Sequence, residues 1–207
     1  MSTRELFVTP LYEASLAGER SFDTFNAELV EAAGMLAAED AAGRGWARRN
    51  GYPGYTSYAS LGDLPRRASV FADLKRALDR HVRAFAGELA FDLGPRGRLV
   101  LDSLWVSVMR PGGAHSGHIH PHSVISGTYY AQVPAAAGAL RLEDPRLASM
   151  MAAPPRAPDA PEALASFVTL APAVGTLFLW ESFVRHEVLP HRGRGSRISV
   201  SFNYAWG

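Results

Sequence analysis

The sequence contains no cysteine. That absence removes disulfides, zinc–thiolate sites, iron–sulfur clusters and thiol nucleophiles together. Lysine is almost missing as well: Lys75 stands alone, and arginine carries the remaining positive charge. With 21 Lys and Arg against 20 Asp and Glu, the formal net charge is +1. Such a balance gives no electrostatic footprint for nucleic acid or for an anionic membrane surface. No apolar run approaches the roughly 18 residues that a membrane span needs, and the opening MSTRELFVTP lacks the apolar stretch of a secretory signal. A cytoplasmic location is therefore expected. What remains is a chain of 207 residues, 47% hydrophobic and 20% charged, which fits a globular protein with a substantial core.

The pattern divides this chain into a helical part, residues 1–97, and a β-rich part, residues 98–207, within an expected single domain. From Ser21, a candidate N-cap, Phe22, Phe25, Leu29, Ala33 and Leu36 recur at steps of three and four, and Gly43 is expected to end that helix. The segment GRGWARRNGYPGYTSYASLGDLP has no period and reads as loop. A second helix is expected from about Pro65 to Leu89, with Val70, Phe71, Leu74, Leu78, Val82, Phe85 and Leu89 on one face. After FDLGPRGR the period changes to two. In LVLDSLWVSVM, residues 99–109, Val100, Leu104, Val106 and Val108 share one face of a strand. Further short strands are expected near 116–120, 124–133, 139–142, 166–171, 175–180, 186–189 and 196–204. The Ala/Pro stretch RLASMMAAPPRAPDAPEA is too broken by proline for a stable helix and reads as a lid or an edge excursion. Helices followed by about eight short strands predict a mainly β fold, a β-sandwich or jelly roll, packed against two or more N-terminal helices.

Four of the seven histidines crowd into PGGAHSGHIHPHS: His115, His118, His120 and His122. In an extended segment His118 and His120 point to the same side, because side chains alternate with period two. Of the histidines outside the cluster, His186 is the best placed as a third ligand, since a hydrophobic strand and a turn lead into its short HEV segment. His81 lies within a helix, and His191, between Pro190 and RGRGS, reads as solvated loop. Three ligands on one face leave the opposite coordination positions open, an arrangement that suits non-haem iron(II). Arg197 begins the apolar strand RISVSFNYAW, where a guanidinium needs an anion, most naturally a carboxylate. Ser199 and Ser201 share its face.

These pieces resemble the iron(II)/2-oxoglutarate-dependent oxygenases: a histidine-x-ligand pair on one strand, a distant histidine, and an arginine some ten residues beyond it. The wording is closer still to a bacterial and phage branch of 2OG-Fe(II) oxygenases. The stretches that carry this likeness are HIHPHSVISGTYYAQVP, LEDPR, LWESFVRHEV and RISVSFN, over roughly Leu101 to Asn203, and LFVTPLYEA and YTSYASL upstream look similar too. The resemblance implies a double-stranded β-helix. It also implies iron(II) held by His118, His120 and His186, with Arg197 and a serine of its strand, Ser199 or Ser201, on the distal carboxylate of 2-oxoglutarate and Tyr130 adding a hydrogen bond. The implied activity is a dioxygenase reaction that hydroxylates a small-molecule or peptide substrate and consumes molecular oxygen. Succinate and carbon dioxide are the co-products. A homodimer is compatible with the sequence. The departure is at the second ligand, where most of the superfamily carries Asp or Glu and this chain has His120.

Two other readings stand beside it. A cupin-type metalloenzyme with three histidines fits the glycine-x5-HxH spacing from Gly112 to His120, but lacks the following glutamate and gives Arg197 no role. A non-catalytic β-sandwich binding module is the other. At single positions, His115 and His122 are either neighbours of the metal or surface residues. Glu143 and Asp144 either supply a carboxylate or cap a turn. The tyrosine and arginine residues of GWARRNGYPGY line either a substrate mouth or a surface loop.

Overall fold

The computed structural model describes residues 2–146 and 151–207. Among the described residues, ten strands form two antiparallel sheets. The larger contains β1 (Leu11–Ser15), β2 (Gly54–Thr56), β3 (Leu99–Met109), β5 (Ile125–Gln132), β8 (Thr176–Glu181) and β10 (Arg197–Trp206), in the order β1-β8-β5-β10-β3-β2. The smaller contains β4 (His115–His118), β6 (Leu140–Glu143), β7 (Phe167–Leu170) and β9 (His186–Val188), in the order β4-β9-β6-β7. The two sheets make the expected jelly roll, a double-stranded β-helix.

Alternation along the central strands separates two environments. Leu104 and Val106 of β3, Tyr129 of β5, Leu177 and Leu179 of β8, and Ile198, Val200 and Phe202 of β10 face outward into the main hydrophobic cluster. There they meet Leu29 and Ala33 of α1 (Phe22–Glu39) and Val70, Phe71, Leu74, Leu78, Val82 and Phe85 of α4 (Ser69–Glu88). Burial of side chains of this size stabilises the fold by roughly 1.5–3 kcal/mol each, so the helices are held by the back of the sheet. The opposite parity faces the smaller sheet and is largely polar. Across β3, β10 and β5 it places Ser107, Ser199 and Tyr130 in one row, and Trp105, Ser201 and Thr128 in the next.

Several local expectations are corrected. The first helix ends at Glu39, and Asp40 caps a separate helix α2 (Ala41–Arg49) by accepting a 2.9 Å hydrogen bond from the Gly43 amide. Gly43 therefore starts a helix instead of stopping one, because an aspartate at an N-cap satisfies orphan amides better than the preceding helix can continue. A Cβ at Gly43 would lie 2.9 Å from the Thr56 carbonyl oxygen and the Ser60 hydroxyl, so the glycine admits close packing. The Pro65–Leu89 helix is two: α3 (Leu64–Arg67) and α4, broken where Ala68 turns extended (φ −145°, ψ 141°) and lets Leu64 and Val70 both become buried. Ser21 precedes α1 without a capping side-chain bond. Nor are residues 1–97 wholly helical, for they supply β1 and β2, the two edges of the larger sheet. Residues 147–150 of the Ala/Pro stretch lie outside the described residues; beyond them the segment contains a single short 3-10 turn, Glu162–Leu164.

Candidate metal centre

The antiparallel pairing of β4 with β9 sets His118 directly opposite His186. The strand ends at His118, two residues earlier than expected. His120 keeps the same phase because its amide donates to the Ser182 carbonyl at 3.1 Å. One ligand-type atom from each of His118, His120 and His186 comes within 4.8 Å of the others. The Nδ1–H groups of His118 and His186 donate to the Ser116 and Val184 carbonyls, at 2.8 and 3.0 Å. Those two bonds fix the tautomers and leave both Nε2 lone pairs turned to the shared space. Trp180 sits edge-on to the His186 ring (4.6 Å between centroids), and Trp105 lies 5.8 Å from His120.

Burial in this setting disfavours the imidazolium form. Desolvation first, then the neighbouring His118, pushes His120 down to about 4 and His186 to about 3; desolvation also lowers His118. Neutral imidazoles are the metal-binding form. The three groups are thus held in the neutral form that could bind a metal rather than as charges.

His115 joins them. It is three residues from His118, a spacing that puts the two on opposite faces of a regular strand, but the register slips between them. The resulting bulge re-aims His115 into the cavity, 4.4 Å from the His118 ring. Gly117, inside the bulge, leaves room for the Arg185 guanidinium, which a Cβ there would meet at 2.7 Å. His122 is exposed, with φ +69°, and takes no part. His81 is tied to the Tyr12 hydroxyl at 2.9 Å. His191 is fully buried, not solvated: its ring bonds the Gly195 carbonyl and the Gly193 amide, and its backbone pairs with Gly112 and Gly113. Glu143 pairs with Arg185 (3.0 Å) and Asp144 with Arg146 (2.9 Å), so neither is directed at the metal cluster.

A narrow cavity runs from the three histidines along the polar rows to Arg197. The arginine is 2% exposed, its guanidinium lies 4.8 Å over the Tyr130 ring, and its Nη1 donates to Ser199 at 3.3 Å. Its Nε–H has no partner, and neither do the buried Tyr130 hydroxyl and the Trp180 indole N–H. Ser201 donates to Thr128 at 3.2 Å on the same wall. Among the ion pairs of the described residues, none involves Arg197. An unpaired buried guanidinium beside an unpaired phenol costs several kcal/mol unless an anion completes the set. A carboxylate fits both donors.

Sequence reasoning missed Trp180, Trp105 and Thr128 as cavity walls, whereas Tyr52 belongs to the GWARRNGYPGY segment read as either a substrate mouth or a surface loop. Trp105 and Thr128 carry the same parity as Ser201, a signal that becomes readable only once the register of β3, β10 and β5 is known.

Residues 103–203 match the family described as "Putative 2OG-Fe(II) oxygenase". Among curated proteins, none matches the sequence. Solved structures share the fold along nearly the whole chain. A Pseudomonas putida prolyl-4-hydroxylase is 18% identical, with a TM-score of 0.60 over 95% of this chain and 93% of that one. A Trichoplax adhaerens prolyl hydroxylase, solved with a hypoxia inducible factor peptide fragment, is 16% identical, with a TM-score of 0.60 over 95% and 84%. The epimerase SnoN, in complex with Fe3+, alpha ketoglutarate and nogalamycin RO, is 14% identical, with a TM-score of 0.60 over 95% and 79%. The matched segment contains all three clustered histidines and Arg197, so the chain carries a 2OG-Fe(II) oxygenase domain. It is an enzyme of the iron(II)- and 2-oxoglutarate-dependent oxygenase class, with Fe(II) as cofactor and 2-oxoglutarate as co-substrate. Among the described residues no helix is long and apolar enough to cross a membrane.

Proposed function

We propose that this enzyme hydroxylates a C–H bond of a small-molecule or peptide substrate, with His118, His120 and His186 as its iron ligands. When bound, iron(II) supplies the redox centre at which oxygen and 2-oxoglutarate are consumed, giving succinate and carbon dioxide. The protein's part is to bind and orient. His118 and His186 hold their proton at Nδ1, leaving Nε2 to the metal. Arg197 and Tyr130 grip the distal carboxylate of the co-substrate, Ser199 steadies the guanidinium, and Ser201 completes the polar wall. Trp180 and Trp105 flank the histidines with aromatic surface that keeps bulk water away. We also read the whole chain as one domain, because a single hydrophobic cluster joins α1 and α4 to β3, β5, β8 and β10.

The observation that carries this reading is the pair of unpartnered buried donors, Arg197 Nε and Tyr130 Oη, on the wall of the cavity that also holds the histidine cluster. A three-histidine cupin without a co-substrate would leave both donors with nothing to bind. Calorimetry of 2-oxoglutarate with the Fe(II)-loaded protein under anaerobic conditions tests it. Arg197→Ala should weaken binding more than tenfold, since losing a partner of a desolvated charge costs about 2–5 kcal/mol, while metal stoichiometry stays intact. Equal affinity in the variant and the wild type would overturn the assignment.

A further inference from the structure

The turn Asn50–Gly54 lies outside the matched oxygenase segment, yet it places a side chain in the cavity. After α2, Gly51 takes a left-handed conformation (φ +63°), and the Tyr52 amide returns to the Ala47 carbonyl at 2.8 Å. Pro53 then accepts from the Arg110 amide at 3.2 Å. Gly54 (φ +137°) presses against β3 so closely that a Cβ would lie 2.1 Å from the Val108 carbonyl oxygen. This anchoring on both sides fixes where Tyr52 points. Its ring packs edge-on to His115 at 5.9 Å and against Trp46 at 6.4 Å, and it lines the same cavity as Arg197 and Tyr130. Its hydroxyl is desolvated, is turned to Ser107 and lies in the field of the Arg197 guanidinium. Ser107 begins the polar row that continues through Ser199 to Tyr130. Tyr52 therefore stands at one end of that row and Tyr130 at the other, with Arg197 beside both.

A carboxylate offers about four lone-pair sites. The guanidinium fork of Arg197 fills some of them and the Tyr130 hydroxyl another, which leaves one for a donor arriving from the β3 side. We propose that Tyr52 is a positioning residue for 2-oxoglutarate: its hydroxyl donates a further hydrogen bond to the distal carboxylate gripped by Arg197 and Tyr130. This rests on the reading of Arg197 given above. It also gives the N-terminal part of the chain a direct role in the site, since a turn held on β3 completes a pocket whose other donors come from β5 and β10.

Tyr52→Phe keeps the ring and its packing on His115 and removes only the hydroxyl. Two ligands are titrated by calorimetry into Fe(II)-loaded, oxygen-free protein: 2-oxoglutarate, and 2-oxopentanoate, which keeps the 2-oxo acid but has a methyl group in place of the distal carboxylate. Loss of a hydrogen bond to a charged group predicts a weakening of about tenfold or more for 2-oxoglutarate. Binding of 2-oxopentanoate and of Fe(II) should not change, a selectivity that general damage to the pocket would not produce. Unchanged 2-oxoglutarate affinity in Tyr52→Phe, with loss in Arg197→Ala, overturns the role of Tyr52 and leaves the carboxylate reading standing. Equal weakening of both ligands overturns it too, by placing the effect away from the distal carboxylate. Failure of the wild type to bind 2-oxoglutarate, or unchanged binding in Arg197→Ala, overturns both readings together.

Discussion

The Nε2 atoms of His120 and His186 lie 3.3 Å apart. Two protonated nitrogens do not sit at that distance, so at least one lone pair faces the other ring, as a pair of ligands to one cation requires. His118→Ala and His186→Ala should each lose most of the bound metal while keeping the fold. Metal analysis of the purified variants decides this; full stoichiometry in both, with native circular dichroism, would remove these residues from the ligand set.

The same burial governs the response to pH. Unperturbed imidazoles protonate near 6.5, and on that basis metal affinity would fall just below neutrality. Burial moves His120 to about 4 and His186 to about 3, so affinity for Fe(II) should stay nearly flat from pH 7 to about 5 and fall only below that. The metal-free protein should behave differently. Its unfolded chain takes up these protons near 6.5 while the folded state refuses them until about 4 and 3, so stability is full above about 6.5 and is lost progressively as pH falls. Urea unfolding of chelator-treated protein at pH 7, 6 and 5 measures the slope. A flat series would mean that the imidazoles are solvated.

His120→Asp puts a carboxylate at the position where the resemblance to the oxygenases leads one to expect it. Because His120 is neutral well below pH 6, the pH profile no longer separates the two forms near neutrality; the added negative charge does. The variant should retain iron(II) and bind it more tightly than wild type at pH 7, read by anaerobic titration. Weaker binding would show that the cavity is shaped around the larger imidazole ring.

Asn203 Nδ2 approaches His120 Nδ1 at 3.4 Å and donates to Ser103 at 3.0 Å, while its Oδ1 accepts from Ser126 at 2.7 Å. That arrangement leaves the His120 proton on Nε2. Metal binding through Nε2 needs the proton on Nδ1, which an acceptor at position 203 would favour. Asn203→Asp should therefore tighten metal binding. Asn203→Ala, which removes the opposing donor, should leave metal binding no weaker than in the wild type, but destabilise the protein by about 1–3 kcal/mol through the lost bonds to Ser103 and Ser126. Metal titration and urea unfolding of the two variants check both parts.

Asp40 accepts from the Gly43 amide, the Ser60 hydroxyl (2.5 Å) and the Tyr55 hydroxyl (2.9 Å). Partial burial opposes its ionisation, yet the hydrogen bonds outweigh that and hold its carboxyl below the usual range. Asp40→Ala should cost about 1–3 kcal/mol in stability. It should also loosen α2, and with it the turn that carries Tyr52. Denaturant midpoints measure the first effect and hydrogen exchange of residues 41–54 the second.

Local alternation made much of the β-rich half legible. The period-two run of residues 99–109 became β3, RISVSFN became the start of β10, and the expected strands fell within a few residues of the observed ones. The same parity that marked Val106 and Val200 as core left Arg197, Ser199 and Ser201 on the opposite face, so these cavity residues could be named from the sequence. His118, His120 and His186 were legible because few other histidines exist and no cysteine competes. The tertiary structure decided what local spacing does not encode. The slip in register that brings His115 inward depends on how β4 meets β9, and the edges β1 and β2 are strands only because the sheet offers them partners. Gly43 looked like a helix stop until Asp40 found Ser60 and Tyr55, twenty and fifteen residues away. Tyr52 reaches Arg197 across 145 positions of sequence through a turn pressed on β3. Side-chain periodicity is written residue by residue, whereas register and closure are settled by distant backbone groups that pair only when the sheets assemble.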